Sequence, residues 1–104
     1  MILLILSLGK EFRYQNKMSP QYPQTVKEAV ATLNAEMKEK ERLLLTSTPE
    51  DKLILLHHSF GRHIRNSFGL WTGNVELMRD TGEAHPDDAS MVIIKALWTK
   101  LREG

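Results

Sequence analysis

Apolar residues recur at helical spacing along most of this chain. Val26, Ala29, Val30, Leu33, Met37 and Leu44 fall on one stripe at a 3.6-residue period. The stripe opens with "TVKE", in which Thr25 takes the N-cap and Glu28 stands three residues on, a capping box. Pro20 and Pro23 hold the preceding segment extended. The pattern predicts a helix from about Val26 to Leu45. A second stripe puts Leu53, His57, Phe60, Gly61 and Ile64 on one face, with Leu56 beside it. Thr48 caps that helix, Pro49 fits its first position, and Glu50 and Asp51 suit the positive end of the helix dipole. It is predicted to run to about Ser67.

The polar "WTGN" then reads as a turn. Asn74 or Thr72 caps a short third helix through Arg79, and Gly82 suits the position just past its end. "HPDDAS" opens the last helix, with Pro86 at its first position and Asp87 and Asp88 in its first turn. This helix continues as "MVIIKALW", apolar almost all round, as expected of a helix that is central in its domain or buried in an oligomer. Beyond the first few residues nothing alternates with a strand period. The expected fold is all-α: a small bundle of three long helices plus one short helix, a single domain over residues 21–104.

Composition narrows the function classes. The chain has 104 residues, 41% of them hydrophobic and 26% charged, which is ordinary for one globular domain. With no cysteine it has no disulfide, no thiolate nucleophile and no cysteine-based zinc site, and it suits a reducing compartment such as the cytoplasm. Net charge is +1, and Lys38 and Lys40 alternate with Glu36, Glu39 and Glu41 as on a solvated helix face. That balance argues against a grip on nucleic acid, for which Lys10, Arg13, Lys17, Arg62 and Arg65 would be the residues. The opening "MILLILSLGK" is too short to span a membrane, which takes about 20 apolar residues, and it has no basic residue ahead of it as a signal peptide would. Residues 1–20 are read as a disordered or loosely attached N-terminal extension, with Met18 as an alternative start.

The chemistry-bearing residues concentrate in "HHSFGRHIRNSFGLWTGN", residues 57–74, which holds three of the four histidines. His57 sits in the middle of an apolar face, with Gly61 one turn later to admit another backbone closely. The commoner role of such a histidine is a buried side chain bonded to a carbonyl or carboxylate; the alternative is a catalytic or ligand-binding one. Arg65 lies about 80° around the helix from His57. Its planar fork suits a carboxylate, here Asp87 or Asp88, or else an anion site built with His57 and a helix N-terminus. Asn66 reads as a helix C-cap or turn residue, and Trp71 as core rather than a stacking platform. Ser90, within reach of His85, is a hydrogen-bonding residue of the same corner. Ser90, His57 and Asp87 can be written as a nucleophilic set, but no strained elbow or flanking glycine accompanies the serine, and no catalytic residue is assigned. His57, His58 and His63 are separated by one, five and six residues, not the three or four that put two ligands on one helix face, so no metal or cofactor is assigned.

The order of His57, Gly61, "IRN" at 64–66, "GLW" at 69–71 and "HPDDAS" at 85–90, followed by an aliphatic helix, resembles a small bacterial and phage family known only as a domain of unknown function. The resemblance covers roughly Tyr22 to Leu101. His58 and His63 stand where aromatic or apolar residues are expected, and residues 1–17 have no counterpart. The resemblance implies a shared polar corner and no particular activity, substrate or cofactor. Together these readings favour a cytoplasmic protein-interaction or regulatory module over an enzyme, self-associating through the last helix. The alternative is a protein that binds, or acts on, a small anionic ligand at His57, Arg65 and His85. Exposure of Arg65 and His57 discriminates between the two.

Overall fold

The structure, a computed structural model, describes residues 22–103, and these are all-α. The extension expected over 1–20 and its apolar run lie outside the described residues. Five α-helices run in order: α1 (Val26–Glu36), α2 (Glu39–Thr46), α3 (Phe60–Ser67), α4 (Val75–Thr81) and α5 (Pro86–Glu103). A 3-10 helix (Glu50–Leu56) lies between α2 and α3. α5 is the axis of the bundle, and each of the other elements packs against it. Its Ile93, Ile94 and Leu97 are fully buried with Leu33 of α1, Ile64 of α3 and Leu77 of α4. A helix with partners on most of its sides keeps only a narrow polar strip, here Asp88, Lys95 and Thr99, which is why its middle is apolar nearly all round. No helix among the described residues is long and apolar enough to cross a membrane.

The helix expected over 26–45 is two helices. Met37 and Lys38 are extended, with ψ of 142° and 158°. The stretch "EMKEKE" has one apolar residue, so packing does not hold it straight. Hydrogen bonds secure the break instead. Glu41 Oε1 accepts from the Lys38 N–H at 2.8 Å, and Arg42 turns back to donate to Asn34 Oδ1 at 2.8 Å and to Asn34 O at 2.7 Å. The break shifts the phase of the stripe. Leu45 is 4% exposed, whereas Leu44, on the stripe of an unbroken helix, is 67% exposed.

The helix expected from 49 to 67 likewise divides, into the 3-10 helix and α3. Three residues per turn align Leu53 and Leu56 on the inner side. Ile54 and Leu55 are left outside, 58% and 73% exposed. α5 fastens this region through Trp98 Nε1, which donates to Thr48 O at 2.8 Å, and Arg102 Nη1, which donates to Thr46 O at 2.9 Å.

The remaining caps hold the turns in place. Thr25 Oγ1 accepts from the Glu28 N–H at 3.0 Å. Gly69, at φ +70°, ends α3 where the Leu70 N–H reaches Arg65 O, and the Tyr22 ring packs directly on it. Asn74 caps α4 through Oδ1, while its buried Nδ2 donates to Pro23 O at 2.9 Å and Phe68 O at 2.7 Å. Gly82 closes α4 in the left-handed conformation.

Candidate functional site

Arg65 is placed on the inner side of α3 by the same periodicity that buries Gly61 and Ile64. Its side chain is 8% exposed, and each of its three nitrogens faces a protein oxygen. Nη1 donates to Ser90 Oγ at 3.0 Å, Nη2 donates to His57 O at 3.2 Å, and Nε lies 3.5 Å from Asp87 Oδ1. Ser90 is fully buried on α5 and donates in turn to Asp87 O at 2.8 Å. Gly61 gives the guanidinium its room: a Cβ there would lie 2.9 Å from Arg65 Nη1 and 3.5 Å from Ser90 Oγ.

His57 stands at the junction of the 3-10 helix and α3, half-buried, with Nε2 3.8 Å from Asp87 Oδ2. Its Nδ1 is buried without a hydrogen-bond partner among the described residues. His85 is exposed, and its Nδ1 accepts from the Asp87 N–H at 3.1 Å, capping the first turn of α5. Asp87 therefore meets Arg65, His57 and His85 together.

Six of the residues singled out by sequence meet here: His57, Arg65, Asp87 and Ser90 directly, His85 through Asp87, and Trp71 through His85. Trp71 differs from its expected place in the core. It is 55% exposed, and its ring lies edge-on to His85 with centroids 5.3 Å apart. Asn66 is exposed on α3 and is not the C-cap, a position held by Phe68, because Gly69 supplies the left-handed turn residue. Asp88 is exposed and joins none of the cluster's ion pairs among the described residues. Chemically the corner is a clasp between α3 and α5. The serine hydroxyl is buried and already bonded on both sides, and the guanidinium is occupied by protein oxygens. Among the described residues no group of three histidine, aspartate or glutamate side chains is arranged to hold a metal ion.

A second feature was not singled out from sequence. A groove of about 510 Å³ opens between α1 and α2 on one side and the 3-10 helix and α3 on the other. Leu33, Met37, Leu44, Leu45, Leu56 and Phe60 form its apolar lining, and Glu36, Glu41 and His63 stand among its polar residues. The signal for it was the leucine surplus in "LLL" at 43–45 and "LILL" at 53–56, more than one buried face of either segment can take.

Residues 22–101 match the family described as Domain of unknown function (DUF6794). The chain belongs to this family. The DUF6794 span starts at Tyr22, where the ring packs on Gly69, and takes in both the Arg65 corner and the groove. No curated protein and no solved structure matches the chain.

Proposed function

We propose that this DUF6794 chain is a small protein-interaction module of regulatory or accessory type, acting in the cytoplasm, with the groove beside α2 as its working surface. The observation that carries the reading is the groove's apolar lining, joined at its edge by Leu44, which is 67% exposed. Exposed apolar surface gathered at a concavity and rimmed by carboxylates is the form of a site for an apolar segment of another protein. The absence of cysteine suits a reducing compartment.

The alternative, a small anionic ligand at His57, Arg65 and His85, draws support from the unpartnered His57 Nδ1. It has less support overall, because the Arg65 nitrogens already face Ser90, His57 O and Asp87. Self-association through α5 is also less favoured than contact at the groove, since Ile93, Ile94 and Leu97 are buried within their own chain.

The test is affinity capture from the native host with the wild-type chain and with Leu44→Glu. Proteins held by the wild type and released by the variant support the reading. Identical captured sets, or none with either bait, overturn it.

A further inference from the structure

We propose that residues 2–8 of this same chain, Ile-Leu-Leu-Ile-Leu-Ser-Leu, occupy the groove, so that the protein carries its own competing ligand for that surface. The proposal rests on the groove being a docking surface, as argued above, and names its resident occupant. Three observations favour this segment.

The first is chemical. Six of these seven residues are aliphatic, a run too short to cross a bilayer, which takes about 20. The groove presents leucine, methionine and phenylalanine side chains to receive them.

The second is reach. The described chain starts at Tyr22, which lines a hollow of about 390 Å³ together with Pro23, Thr32 and Phe68. Glu36 lines both this hollow and the groove, so the two adjoin along α1. Residues 9–21 lead from the apolar run to Tyr22 and extend to roughly 40 Å at about 3.3 Å per residue. The whole of α1 is only about 16 Å long at 1.5 Å per residue, so the connection is ample.

The third is charge. The connecting stretch carries Lys10, Arg13 and Lys17 against the single acid Glu11, and the carboxylates of Glu36 and Glu41 stand at the groove. A basic connection beside an acidic rim sets which segment docks and brings it in quickly.

Because the chain has no cysteine, Ser7→Cys in the full chain provides a single thiol for a nitroxide spin label. The expected result is loss of the amide NMR signals of Leu44, Leu56 and Phe60, unchanged on dilution and reversed when the label is reduced. Leu44→Glu in the labelled chain is expected to restore the signals of Leu56 and Phe60. Leu44 is exposed, so this change leaves the fold in place. Three results overturn the proposal. The groove signals stay sharp. They are lost only when spin-labelled chains are mixed with separate isotope-labelled chains, which assigns the groove to a second copy. Or the label inserts into added phosphatidylcholine–phosphatidylglycerol vesicles while the groove signals stay sharp, which assigns the segment to a membrane. Under any of these, host proteins still lost with Leu44→Glu leave the interaction reading standing without an internal occupant.

Discussion

Arg65 of α3 donates to Ser90 Oγ of α5 at 3.0 Å, over a backbone position that only glycine leaves clear. The contact joins the second half of the chain to the central helix. Breaking a fully buried ion pair by removing one partner costs about 3–5 kcal/mol, and an exposed pair is worth under about 1 kcal/mol. Here the arginine is buried, but Asp87 is 41% exposed. Arg65→Ala is expected to cost about 2–3 kcal/mol, because Ser90, His57 O and Asp87 lose a shared donor at once. Asp87→Asn should cost about 1 kcal/mol. Denaturant unfolding of both variants checks the order, and a near-neutral Arg65→Ala would mean that the arginine serves a ligand instead.

Gly61→Ala should destabilise the protein, against its helix propensity. Alanine in a helix is worth about 1 kcal/mol over glycine. The added Cβ would press on a guanidinium held on three sides, and overpacking of that kind costs about 1–3 kcal/mol. In the Arg65→Ala background the obstruction is gone, and the same change should become neutral or stabilising. A double-mutant cycle reads the reversal directly, and its absence would show that the guanidinium yields freely.

Asn74→Asp separates a cap from a pin. Aspartate and asparagine cap helices about equally well, so a residue acting only as the α4 cap would tolerate the exchange. Asn74 also donates to Pro23 O and Phe68 O from a buried amide. Replacing that donor by a carboxylate facing two carbonyls should cost about 2–3 kcal/mol or more. A melting temperature equal to wild type would show that the two carbonyls find other donors.

Removal of residues 1–17 should leave one cooperative unfolding transition. The Tyr22 packing on Gly69 and the Thr25 cap are all retained in a chain starting at Met18. Loss of the sigmoidal thermal melt in the shorter chain would place the apolar run in the core.

Much of the second half of this fold is legible from local rules. Pro86 with the acids behind it, Asn74 and Gly82 each mark a boundary by backbone chemistry that no distant contact overrides. Arg65 and Asp87 are legible as partners because one borders a buried face and the other opens the helix that packs there. The break at Met37 is not legible, since "EMKEKE" favours a helix and the choice is made by Arg42 folding onto Asn34. The 3-10 helix is hidden for a related reason: an unbroken "LILL" fits a period of three as well as 3.6. Both breaks shift which leucines face inward, so the groove they create was equally out of view. Residue type alone points Trp71 to the core, but it sits in the turn after Gly69, where the chain runs over the surface.

The central position of α5 sets the order in which this protein can form. Every other described element finds its counterpart on the segment that the ribosome makes after all of them. Until Pro86 and the residues behind it emerge, Leu33, Ile64 and Leu77 lack the surface that Ile93, Ile94 and Leu97 give them. The first four helices therefore wait as a nascent chain with open apolar faces, and folding begins in earnest only once α5 has been made.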